Sequence, residues 1–460
     1  MKKVKRKILI TGLLIGVFLI TGCGAGGGVF SNPSPTADLE KITLEYWRVW
    51  DSSSAFKEII EGYTTMHPQV TIRYKKFRYE EYEEELLNAF AEGRGPDVFS
   101  LHSGWMRRYQ KKLEPMPPET TMQFVTTSGG LKNEKTVDTR TKKSLTPTDV
   151  RNNFVETVYT DAVIEDEVYG LPLSVDTMVI FYNRDLLNAA GVTSVPKYWD
   201  EDFLKTVQDL TLEDVNGNIV QSGVALGTSD NIQRYSDILS LLMMQNGVKM
   251  SDELGNVTFN QIPKGSSRDY NPALEALRFY TDFANPIKEV YTWNTEMPNS
   301  LDAFIAGRLA IFFGYSYHIP LIKAQAPRLN YSLSPMLQIE GNTEINFANY
   351  WLEAVSSQSA HTDVAWDFVQ YATAAEQVIA YLNNSKKPTA LRSLVDDQKE
   401  SEDIGVFANQ LLTATNWYRG KDYNAAEAII GEMIDSAMIN PEEMDDALTL
   451  AARKIQQTIK

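Results

Sequence analysis

The chain has 460 residues, with 44 Lys+Arg against 60 Asp+Glu and a formal net charge of −16. That length exceeds one ordinary core and suits two lobes. A surface this acidic repels phosphate backbones, which excludes a nucleic-acid binder.

The first 22 residues read as a leader. Lys2, Lys3, Lys5, Arg6 and Lys7 form a basic start, and Ile8 to Ile20 are almost wholly apolar. That run is short for a membrane span, which needs roughly 20 residues. It closes on "LITGC", the pattern of a bacterial lipoprotein signal in which Cys23 is lipidated and becomes the new N-terminus. Cys23 is the single cysteine, so no disulfide forms within the chain. Removing the five leader cations leaves 39 against 60, or −21. Residues 23–38, rich in Gly, Ser and Pro, read as a flexible tether reaching roughly 20 Å.

In chain order, "KITLEYWRVW" predicts a strand and "SAFKEIIEGYTTMHP" a helix stopped by Pro68. "QVTIRYKKF" predicts a strand, "YEEYEEELLNAFAEGRGP" a helix and "DVFSL" a buried strand. This β-α-β-α-β order starts a doubly wound lobe, whose ligands sit beyond the carboxyl ends of the strands. The rule points to Trp47, Trp50 and Asp51 after the first strand, and to His102, Ser103 and Trp105 after the third. Residues 115–150, rich in Thr, Lys and Ser, read as a surface insertion with little order, followed by a helix over roughly 147–158 and a tight turn at Glu165–Glu167. Leu171, Leu173 and Val175 alternate as an edge strand containing Pro172; Asp176 then falls at a join before the buried strand "TMVIFY". Such a carboxylate can face a cleft, whereas Asn183 and Asp185 suit turn and helix-cap duty. Further helices are predicted in "VPKYWDEDFLKTVQDLT", "YSDILSLLMMQNG", "NPALEALRFYTDFA" and "AHTDVAWDFVQYAT", and two more over 424–460. "RLAIFFGYSYH" reads as a strand ending in a tyrosine-rich glycine turn.

The segments "GRGPDVFSL", "YGLPLSVDTMVIFYNRDLLNAAGV", "VPKYWDEDFLKTVQDLT", "LDAFIAGRLAIFFGYSY", "AWDFVQYATAAEQVIAYL" and "KKPTALRSL", in this order behind a lipobox, resemble the carbohydrate-type extracellular solute-binding proteins, the maltose-binding-like receptors of ABC importers. The resemblance covers residues 40–460 apart from the 115–150 insertion. It implies an α/β, two-lobe periplasmic-binding-protein-like fold (type II), each lobe a doubly wound mixed sheet. Lobe 1 would take 39–173 and 346–388, and lobe 2 would take 174–345 and 389–460, with hinge crossings near Pro172–Asp176, Ile345–Trp351 and Pro388. It further implies a sugar captured by closure and passed to a permease and its ATPase, with the body held at the outer face of the membrane through Cys23. Tyr315 and Tyr317 flank the turn where the family carries a stacking aromatic. Tyr350 and Trp351 lie at the return crossing, and Trp417 and Tyr418 resemble the C-terminal aromatic that closes over sugar.

The chemistry agrees. A sugar needs hydrogen-bond partners for its hydroxyls and flat rings for its C–H faces, and the chain holds 8 Trp and 22 Tyr. Asp176 is the leading candidate for a ligand contact. A monomer without cofactor is expected. The same fold could serve a peptide, a polyamine or glycerol phosphate, or act as a sensor for a membrane receptor; an anchored glycan hydrolase is remote. "GYSYH" fails as a nucleophile elbow, and the four histidines lack metal spacing.

Overall fold

The computed structural model describes residues 39–128, 134–252, 255–263 and 270–459. The leader, Cys23 and the tether lie outside the described residues.

Two hydrophobic cores are built from interleaved pieces of the chain. In the first lobe the strand order is Trp351–Val355, Val98–His102, Ile42–Val49, Val70–Phe77. The last three run parallel, and Trp351–Val355 is antiparallel to its neighbour. In the second lobe the order is Leu212–Glu213, Ile219–Val224, Leu309–Gly314, Val179–Asn183, Tyr331–Ser334. Met178 to Phe181 are wholly buried, as a continuous apolar run in a central strand requires. Asn183 accepts from the N–H groups of Asp185 and Leu186 at 3.0 and 3.2 Å and caps the helix Arg184–Ala189.

A small third sheet joins the lobes. Asp176–Thr177 pairs antiparallel with Asn346–Asn349, which pairs in parallel with Ala414–Thr415. Three chain crossings therefore lie side by side, hydrogen-bonded to one another.

Four expectations change. Residues 115–150 are not irregular: Glu119–Ser128 and Glu134–Lys143 form a regular antiparallel ribbon. Its inward positions Thr120 and Met122 are buried, and Phe124 packs beside His67 at 4.9 Å. A polar outer face masked that period-2 signal. The helix expected over 147–158 is two, Pro147–Asn153 and Glu156–Ala162, separated where Phe154 bridges to Leu391. The stretch Leu171–Val175 forms isolated bridges, Leu171 to Glu353 and Ser174 to Thr389, rather than a strand; Pro172 has no N–H to continue a ladder. The last crossing lies beyond Pro388. Ala390, Leu391 and Val395 still pack in the first core, the two cores alternate from Ile404 to Ala414, and the chain joins the second core from Trp417.

Candidate functional site

The site forms where the carboxyl ends of the first-lobe strands meet the second lobe across the hinge sheet. Asp176 stands opposite Asn349 in that sheet. Its Oδ2 accepts from the Ser316 N–H at 2.9 Å and from Ser316 Oγ at 2.6 Å, and its Oδ1 from the Thr177 N–H at 2.9 Å. The carboxylate that interrupts two apolar runs thus fastens the Gly314–Tyr317 turn to the hinge. Burial pushes its pKa up to about 7, against the Ser316 hydrogen bonds and the charge of Lys387.

That turn presents Tyr317 to a column of rings. Tyr315 lies parallel to Tyr317 (centroids 5.8 Å, 16°), Tyr317 to Trp50 (6.0 Å, 11°), Trp50 to Tyr79 (5.5 Å, 14°) and Tyr79 to Trp105 (6.4 Å, 20°). Tyr315 and Tyr317 belong to the second lobe and the other three to the first, so the Tyr317–Trp50 step crosses the cleft. Trp351 meets Trp105 and His102 edge-on at 5.4 and 5.3 Å.

Polar groups line the adjoining wall. His102 Nδ1 accepts from the Gly104 N–H at 3.2 Å, which leaves Nε2 protonated to donate to Asn349 Oδ1 at 3.1 Å. Burial, helped by the charge of Arg234, lowers its pKa to about 4, so the imidazole is neutral near pH 7. Arg234 Nε and Nη2 donate to the two oxygens of Asp237 at 2.8 and 2.7 Å, and Nη1 pairs with Glu427 at 3.0 Å. Asp237 also accepts from Tyr315 OH at 2.6 Å, and Arg234 donates to Tyr423 OH at 2.8 Å. Every cation on this wall is matched, so the wall offers oriented donors and acceptors without free positive charge. The cavity bounded by His102, Asn349, Asp237, Trp417, Tyr423 and Glu427 measures only ≈ 20 Å³, room for about one water. A sugar ring enters only if the lobes separate. The lobes meet closely here: a Cβ on Gly104 would lie 2.5 Å from the Tyr423 ring.

A second charged cluster supports the first-lobe edge. Asp51 pairs with Lys387 at 2.8 Å and Arg48 at 3.2 Å and accepts from Tyr381 OH at 2.9 Å. Burial raises the Asp51 carboxyl, but Lys387 and Arg48 outweigh it and hold the pKa below its ordinary value. Arg48 reaches on to Glu353 at 3.3 Å, and Glu353 accepts from Tyr46 OH at 2.7 Å.

The residues singled out in the sequence divide accordingly. Trp50, His102, Ser103, Tyr317, Trp417 and Tyr418 border the cleft, and Trp105 and Trp351 form its aromatic backing. Trp47 is core, packed on Phe77 at 4.7 Å. Tyr315 is fully buried behind Tyr317, which lies between it and Trp50. Tyr350 is buried and donates to Asp161 Oδ2 at 2.8 Å. Sequence reasoning missed Tyr79, Arg234, Asp237, Asn349, Tyr423 and Glu427. Asp237 alone left a signal, a carboxylate in the first turn of the otherwise apolar helix Tyr235–Gln245.

Among the described residues no group of three or more His, Cys, Asp or Glu side chains could hold a metal, and no helix is long and apolar enough to cross a membrane. The family model for bacterial extracellular solute-binding proteins matches residues 50–379. The chain belongs to this family. Curated relatives include the maltodextrin-binding protein of Bacillus subtilis strain 168, 23% identical over 64% of this chain and 68% of that protein. A putative binding protein of Brucella abortus strain 2308 is 20% identical over 32% of this chain, and the match spans only 30% of that relative's length. Among solved structures, the cyclic α-maltosyl-1,6-maltose-binding protein of Arthrobacter globiformis superposes with a TM-score of 0.70 at 15% identity, covering 91% of this chain and 99% of that one. The acarbose-binding receptor of Streptomyces glaucescens gives 0.66 at 19% identity, covering 92% and 100%. These likenesses establish the two-lobe solute-binding fold.

Proposed function

We propose that this solute-binding protein is the lipid-anchored receptor of an ABC importer. It captures a sugar or oligosaccharide between its lobes and delivers it to a membrane permease. The observation that carries the reading is the cleft's pairing of flat rings from both lobes with a wall of matched polar groups. Tyr317 and Tyr79 offer faces to C–H surfaces. Asp237, Glu427 and the Asn349 amide offer hydroxyl partners. The names of the relatives, several of them sugar binders, support the same class.

Capture follows from the hinge. Contacts made to both lobes favour the closed form, and the ligand shifts the equilibrium by its difference in affinity between the two states. A hydroxyl buried without a partner costs about 1–3 kcal/mol, which selects among sugars. Lipidation at Cys23 would keep the body within roughly 20 Å of the membrane. Melting shifts of the body (residues 24–460) with a panel of neutral mono- and oligosaccharides, peptides, polyamines and glycerol phosphate test the reading. A sugar should stabilise and the other classes should not; stabilisation by a non-sugar alone refutes it.

A further inference from the structure

Trp50 combines four features. Its backbone is left-handed, with φ 68°, at a residue that has no glycine freedom. The Asp51 N–H closes back to the Val49 carbonyl at 2.8 Å, making a three-residue turn of the strained hand. Asp51 pins that turn through Lys387, Arg48 and Tyr381. Finally, the strained turn aims an indole, 43% exposed, between Tyr79 of its own lobe and Tyr317 of the other. Strain of this kind persists only where surrounding contacts enforce it, and it points from geometry to function.

An indole face and the C–H face of a pyranose compete for the same surface, the face of a tyrosine ring. We propose that Trp50 is a built-in stand-in for the ligand. Its indole fills the slot against Tyr317 and bridges the lobes, and an entering ligand must take the Tyr317 face from it. Trp50 therefore sets a threshold for entry. A solute with a flat apolar face can displace the indole, and a compact polar solute without one cannot. The part concerning ligand entry rests on the sugar-binding proposal; the self-closure rests on the ring geometry alone.

The experiment reads hydrogen exchange on the full chain in mild detergent, with indole as the added probe and no sugar present. Trp50→Ala should raise exchange in the 314–318 turn and at the start of the Tyr79–Ala91 helix. The rise should be roughly 2- to 10-fold, the range an aromatic pair supplies. Tyr317→Ala should raise exchange at residues 49–51 and 79–83 similarly. Millimolar indole should restore protection in Trp50→Ala, where it refills the slot, and do nothing to wild type or Tyr317→Ala. Trp50→Gly should melt above Trp50→Ala, because glycine relieves the positive φ. Unchanged exchange in Trp50→Ala, or equal indole protection of Tyr317→Ala, overturns the proposal. If indole rescue succeeds and no sugar binds, self-closure stands and the sugar reading falls.

Discussion

Gly104→Ala should separate closing from folding. Gly104 lies in the first lobe, in the short turn Ser103–Trp105, and its φ is not in the left-handed region, so alanine fits the backbone. The added methyl would lie 2.5, 2.9 and 3.0 Å from Cδ2, Cγ and Cε2 of the second-lobe Tyr423. The Tyr423 ring cannot readily yield, because its hydroxyl is held by Arg234, itself clamped by Asp237 and Glu427. Overpacking of this kind costs about 1–3 kcal/mol, and at about 1.4 kcal/mol per tenfold the closed-to-open ratio falls roughly 5- to 150-fold. Opening the lobes removes the clash, so the fold itself loses little. Small-angle scattering of the ligand-free body should show a larger radius of gyration for Gly104→Ala than for wild type, with an unchanged melting temperature. Adding Tyr423→Ala should bring the two scattering curves together. Unchanged scattering with a melting temperature lowered by several degrees would refute the reasoning, since the contact would then lie within one fixed unit.

Asp176→Asn should change the pH dependence of stability. The folded pKa near 7 lies above the ordinary value of 3.8, so the protonated form favours folding and that contribution is lost as pH rises from about 4 to 7. The melting-temperature difference between variant and wild type should therefore grow in the variant's favour across that window; a flat difference refutes the assignment. Arg48→Met leaves Glu353 buried without its cation and should cost roughly 3–5 kcal/mol in chemical denaturation. Arg48→Met/Glu353→Gln should cost less than Arg48→Met alone, and strict additivity contradicts the pairing. Met122→Ala should cost about 2–5 kcal/mol by the same denaturation measurement if the ribbon is seated on the first core, and under 1 kcal/mol if it stands free.

The elements with strong periodicity were legible: the first three strands, the helices Ser53–Met66 and Tyr79–Ala91, and the buried strand after Asp176. So was the Asn183 cap, because an amide before a helix has one economical use. The ribbon was not, since its buried Thr120 and Met122 alternate with Thr and Gln on the open face. At the site the sequence pointed to strand ends and turns, among them Trp50, His102 and Tyr317, which the structure brings to the interlobe cleft. It overlooked Tyr79, whose place in an amphipathic helix looked ordinary, and Arg234, whose left-handed backbone at φ 60° leaves no local signature. Asn349 and Tyr423 meet His102 from positions some 250 and 320 residues away in the chain, a juxtaposition only the three-stranded hinge and the second lobe create. Asp176 was readable at the join between two apolar runs, and its oxygens accept from Ser316 and Thr177, partners that only the fold brings to it.

The most direct test of sugar capture is titration calorimetry of the body with the sugar that gives the largest melting shift, in wild type and in Tyr317→Ala. One saturable site with a negative heat-capacity change is expected, weakened roughly tenfold or more when the Tyr317 ring is removed. Full-strength binding in Tyr317→Ala, or heat only from a charged non-sugar, would contradict sugar capture.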